Sequence, residues 1–252
     1  MKQILIRADD LGYCEGVNFG IAKTVKDGFV RTVGLMPNMP TAAHGLKLLE
    51  GVDICLGQHT NISLGKPCAD PAKIPSLLDE HGNLKSSKVY RAAYAAGTEI
   101  TSLDEMVLEV DAQYHRFVEL TGREPQYFEG HAVMNNNFFK ALEIVANRYH
   151  LKYNDMIPTE KIGHFNGKAV ASCLPRSKEG QSLYQVFKDY VQSARKDIPT
   201  VFVFHPGYVD AYLLKNSSLN IRRTEDVELL SNPEIRRWLK EQSVELITYN
   251  DL

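Results

Sequence analysis

The stretch Ile4-Leu5-Ile6-Arg7-Ala8-Asp9-Asp10-Leu11-Gly12 runs an apolar strand, with no linker, into two adjacent carboxylates and a glycine. Neighbouring residues on a regular strand point to opposite faces, so the pair can divide labour, one carboxylate holding a cation and the other managing a proton. An Asp-Asp-x-Gly sequence is also an ordinary turn after a strand, with an Asp capping the next helix. The rest of the chain decides between the two readings. Three further strand-like runs end at a histidine: Ile54-Cys55-Leu56-Gly57-Gln58-His59, Gln126-Tyr127-Phe128-Glu129-Gly130-His131 and Val201-Phe202-Val203-Phe204-His205.

Between these runs the strand and helix signals alternate. Val17, Ile21, Ala22 and Val25 make a helical stripe closed by Gly28, Phe29 to Met36 reads as a second strand, and residues 41–50 as a helix before the strand over 52–58. Helices are predicted over 102–121, 136–149, 182–196, 225–230 and 233–241, and a last strand over 244–248. Repeated βα units imply a mostly parallel sheet, and no Gly-x-Gly-x-x-Gly or P-loop follows the first strand. The expected fold is therefore an α/β, TIM-barrel-like (β/α) barrel in one domain spanning 1–252. Insertions that break the rhythm are expected at about 61–101 and 158–181, the first over the site mouth.

Barrels and open sheets of this class carry functional groups at the C-terminal ends of their strands, where Asp9, Asp10, His59, His131 and His205 fall. One carboxylate and two imidazoles form a common catalytic metal shell, which Asp10, His59 and His131 can supply from three strands. His205 precedes Pro206-Gly207, a stiff turn that would fix the imidazole as a general acid. The other histidines read as surface residues.

Composition narrows the classes. With 29 basic and 31 acidic residues the formal charge is −2, which offers no footprint for nucleic acid. No apolar run approaches a bilayer span and no signal peptide is evident, so a cytoplasmic protein with no membrane partner is expected. Cys14, Cys55, Cys68 and Cys173 show neither zinc-knuckle spacing nor disulfide density.

Ala8-Asp9-Asp10-Leu11-Gly12, Leu35-Met36-Pro37-Asn38-Met39-Pro40, residues 57–67 from Gly57-Gln58-His59 to Gly65-Lys66-Pro67, His205-Pro206-Gly207-Tyr208-Val209-Asp210 and Arg223-Thr224-Glu225 together resemble the successive motifs of the YdjC-like carbohydrate deacetylases, the group that includes the chitooligosaccharide deacetylases. The resemblance runs nearly end to end. It implies a distorted (β/α) barrel, often dimeric, that removes acetyl groups from N-acetylated sugars. It further implies a divalent metal, usually Mg²⁺, on Asp10, His59 and His131, with Asp9 as base. Zn²⁺ or Mn²⁺ suits the same donors. The third motif departs from the family pattern: Glu129 stands for its Asp, and Val133 and Asn135 replace two later histidines that would line the pocket. Glu129 is a candidate to orient a ligand imidazole, and Tyr208 and the tyrosines of the first insertion are candidates to stack on sugar. The rival readings are another metal hydrolase on this scaffold, an esterase or a phosphoester hydrolase, and a catalytically silent sugar-binding or regulatory protein.

Overall fold

A computed structural model describes residues 1–155, 162–177 and 180–252. Strand β1 (Lys2–Leu11) is buried along nearly its whole length, as expected for a strand covered on both faces. Its first half pairs in parallel with β8 (Val244–Ile247), its second half with β2 (Thr32–Leu35), and its other edge with β7 (Thr200–Phe204). From β2 the sheet continues to β3 (Cys55–Thr60) and β4 (Phe128–Gly130), and from β7 to β6 (Lys168–Cys173) and β5 (Ile162–Phe165). These eight strands curl into a half-barrel. Its two ends are stitched by single bridges, Phe128 to Tyr153 and Asn154 to Phe165.

Helices pack around the sheet: α1 (Glu15–Lys26), α2 (Ala42–Leu48), α3 (Ser87–Ala95), α4 (Leu103–Thr121), α5 (Asn136–Arg148), α6 (Leu183–Ser193), α7 (Ala211–Asn216), α8 (Arg222–Ser231) and α9 (Pro233–Glu241). The apolar stripe of α1 (Val17, Ile21, Val25) joins Ile4, Ile6, Phe202 and Phe204 in the main core. No helix among the described residues is long and apolar enough to cross a membrane. The fold agrees with the expected single-domain (β/α) barrel, opened to a half-barrel.

Two stretches expected to be irregular are more ordered than their composition suggested. The first insertion carries α3 and packs Ile74, Leu77, Leu84 and Tyr90 into a second core with α4 and α5. In the second, β5 and β6 form an antiparallel hairpin across Asn166-Gly167, with φ of 49° and 78°. Asn-Gly with both φ positive is the preferred two-residue hairpin turn, a signal present in the sequence. Residues 158–161 and 178–179 of that expected insertion lie outside the described residues.

Candidate active site

The two aspartates do not alternate across the strand as the regular pattern predicts. Ala8 pairs with Val33 and Leu11 with Leu35, so β1 spends one residue more than β2 over this interval, and Asp10 takes a φ of 76°. Aspartate is one of the few side chains that accepts this left-handed conformation. The bulge cancels the alternation expected of a regular strand. Both carboxylates now face one imidazole, with Asp10 Oδ1 at 3.2 Å and Asp9 Oδ2 at 4.0 Å from His59 Nε2.

His131, just past β4, completes a tight group: its Nδ1 lies 3.0 Å from Asp10 Oδ1 and 3.0 Å from His59 Nε2. His59 Nδ1 sits 2.6 Å from Glu129 Oε1. That contact is best served by a proton on Nδ1, which leaves the Nε2 lone pair pointing at Asp10 and His131. Burial opposes charge on the His59 imidazole, yet Asp9 and Glu129 outweigh it and hold its pKa up to about 10. Burial likewise opposes the Asp10 carboxylate, and Arg223, then His131, bring it well below the ordinary range.

These atoms fit a divalent cation. Donors held at right angles about 2.1 Å from one ion lie roughly 3.0 Å apart, which is the spacing of Asp10 Oδ1, His59 Nε2 and His131 Nδ1. Asp10 Oδ1 is fully buried and accepts no hydrogen bond of good geometry. The negative charge that would hold a proton on His59 would equally hold a metal. A second cluster, Asp9, His59 and Glu129, is also compact, but its carboxylates are already taken by the buried Arg7. Its cation is the guanidinium.

Asp10, His131 and His205 open onto a cavity of 420 Å³ walled by Tyr13, Ser63, Lys88, Arg91, Lys215 and Arg223, among others. A larger cavity of 890 Å³ between Pro37 and Glu119 touches none of the five candidate residues, so the smaller one is where chemistry can occur. His205 is half-buried, and its backbone N–H donates to Asp226 Oδ2 at 2.8 Å. Burial pulls the His205 pKa down to about 4; Asp10 and Asp9 pull the other way and Arg223 adds to the depression. Burial raises the Asp226 carboxyl to about 6, despite the His205 N–H and the neighbouring arginines.

Glu129, the candidate to orient a ligand imidazole, contacts His59. Other residues depart from expectation. Val133 lies in the second core, and Asn135 caps α5 through Phe138 N and bonds Glu99, so neither lines the site cavity as supposed for the family histidines they replace. Of the tyrosines, Tyr90 is buried and Tyr208 lies off the cavity; the one lining it is Tyr13, which was not anticipated. Arg223, quoted above without a role, grips Asp10 Oδ2 at 2.7 Å. Arg7 was missed as well, although a charged residue inside an apolar strand demands a buried partner.

The chain matches the family profile described as "YdjC-like protein" over residues 3–241. It is 28% identical to Carbohydrate deacetylase 2 of Listeria innocua, covering 99% of this chain and 98% of that one. It is also 28% identical to the Chitooligosaccharide deacetylase of Yersinia enterocolitica, covering 99% of each. A crystal structure from Enterococcus faecalis, of a candidate cellobiose-phosphate cleavage protein, superposes with a TM-score of 0.82 at 21% identity, covering 99% of this chain and 98% of that one. That likeness concerns the fold. With the profile spanning nearly the whole length, the chain belongs to the YdjC-like protein family.

Proposed function

We propose that this protein is a metal-dependent hydrolase that removes acetyl groups from N-acetylated oligosaccharides. The observation that carries the reading is the convergence of Asp10 Oδ1, His59 Nε2 and His131 Nδ1 beside a second carboxylate, Asp9, with Asp10 and His131 lining one cavity. The names of the full-length relatives point the same way.

In this reading Asp10, His59 and His131 hold a divalent ion, which supplies polarisation of the acetamide carbonyl and acidification of water. Asp9 accepts the proton of the attacking water at its carboxylate. Arg223 holds Asp10 Oδ2, leaving Oδ1 for the ion. His205 passes a proton to the departing amine. Because burial leaves His205 neutral near pH 7, the proton it passes is the one Asp9 has taken from water, handed on to the imidazole, so that the amine leaves with it and Asp9 is ionised again. Mg²⁺ follows from the family, while two imidazoles suit Zn²⁺ or Mn²⁺ equally.

The cavity rim carries Lys88, Arg91 and Lys215, none of them ion-paired among the described residues. Unpaired cations beside the site favour a sugar bearing an acidic substituent. The deciding experiment is acetate release from neutral and acidic N-acetylated sugars, with a chelator and then with Mg²⁺, Mn²⁺ or Zn²⁺ restored. Release that chelation abolishes and a divalent ion restores is expected. A metal-bound protein that cleaves an aryl ester or phosphoester but frees no acetate from any amide would replace this reading with the other hydrolases.

A further inference from the structure

Arg7 lies two residues before Asp9 on β1, and strand alternation turns both side chains to the same interior face. Its guanidinium is bound on three sides. Nε meets Asp9 Oδ1 at 2.7 Å and Nη2 meets Asp9 Oδ2 at 2.8 Å, while Nη1 reaches Glu129 Oε2 at 2.8 Å and the Tyr249 hydroxyl at 3.1 Å. The other Glu129 oxygen holds His59 Nδ1. Tyr249 is fully buried in the last turn of the chain, closed by a Thr248–Asp251 capping box, and its hydroxyl also accepts from Asn154 Nδ2 at 3.1 Å.

The ion pair with Asp9 alone would neutralise a buried arginine. The second carboxylate and the tyrosine are extra, and they join the two halves of the site. Glu129 divides its two oxygens, Oε2 on Arg7 Nη1 and Oε1 on His59 Nδ1, so one carboxylate ties the guanidinium to the imidazole.

We infer that Arg7 is a positioning residue that fixes Asp9 and, through Glu129, the His59 imidazole in one geometry, with Tyr249 setting the plane of the guanidinium. The inference rests on the reading of Asp9 as proton acceptor and of Asp10, His59 and His131 as cation ligands. A lysine would keep the charge yet offer one nitrogen, too few to span two carboxylates.

The test compares Arg7→Lys and Tyr249→Phe with the unaltered full chain by three measurements: Mn²⁺ or Zn²⁺ affinity by competition with a chelator, kcat and KM for acetate release, and thermal unfolding. Arg7→Lys is expected to bind the ion roughly 10- to 100-fold more weakly, the range for residues that orient a ligand, and to lose kcat while KM holds. Tyr249→Phe should move both quantities in the same direction by a smaller factor. If Arg7→Lys lowers only the melting temperature, with ion affinity and kcat as in the unaltered chain, Arg7 is purely structural and the inference is overturned. Unaltered values in Tyr249→Phe overturn its part. Should the unaltered chain release no acetate from any sugar, the functional reading fails, while the ion titration still decides the role of Arg7.

Discussion

Asp9 and Asp10 are chemically identical and one residue apart, yet their surroundings assign them different work. Asp10 is gripped by Arg223 and faces two imidazoles, whereas Asp9 is ion-paired with Arg7, its Oδ2 accepting from Nη2. Asp10→Asn is therefore expected to lose the ion, and Asp9→Asn to keep it while turnover falls ~10²- to 10⁴-fold, the usual loss for a missing general base. Metal analysis of both purified variants beside their rates checks this; equal ion loss in the two would exchange or merge the roles. His205 yields a prediction in pH. Its folded pKa of about 4 lies below the ordinary histidine value, so between roughly pH 6.5 and 4 the unfolded chain binds a proton that the folded one refuses. Its contribution to stability is complete above that window and is lost as pH falls through it. Urea unfolding at pH 7.5 and 4.5 should show a smaller drop for His205→Gln than for the unaltered chain, by on the order of 1 to 3 kcal/mol.

At the scale of elements, two glycines let the half-barrel close around the site. A methyl on Gly57 of β3 would lie 2.3 Å from two ring carbons of Tyr127, which is fully buried. On Gly34 of β2 it would lie 3.0 Å from His59 Cβ, 3.2 Å from the Tyr127 hydroxyl and 3.3 Å from Asp9 Oδ1. Gly57→Ala should thus destabilise by about 1 to 3 kcal/mol or more through overpacking, visible in thermal melts. Gly34→Ala should melt nearer the unaltered temperature but turn over more slowly, because the groups that must give way are Asp9 and His59. Elements are also where the sequence was most and least legible. Apolar runs ending in Asp or His located four strand ends, since burial and function both leave residue types behind. The bulge at Asp10 left no such mark: any Asp-Asp pair reads the same until register with β2 is known. The Asn166-Gly167 hairpin was legible and overlooked, and the tie from Glu129 to His59 joins side chains 70 residues apart, which no local pattern encodes.

For the whole molecule the governing fact is the company β1 keeps. Ile4 pairs with Thr200 and Lys2 with Val244, so the strand that bears Arg7, Asp9 and Asp10 is held on one edge and half of the other by the far end of the chain. Pairing that central opens only with the fold itself, and amide exchange in residues 4–8 is expected to track global unfolding, with the α3 segment exchanging much earlier. Mass-resolved exchange tests the order; β1 exchanging alongside α3 would show that the strand frays on its own. The same connectivity bears on how the protein is made. A ribosome adds about 5 to 20 residues each second, so the first strand leaves the tunnel roughly ten to fifty seconds before β8 exists to receive it. During that interval Ile4, Leu5 and Ile6 have no β7 or β8 to cover them, and Arg7 has no Tyr249. A nascent chain that has reached His205 but not β8 would carry all five candidate residues and still lack part of the frame that aligns them, which makes synthesis of Val244–Ile247 and Tyr249 the step that commits the molecule to an aligned site.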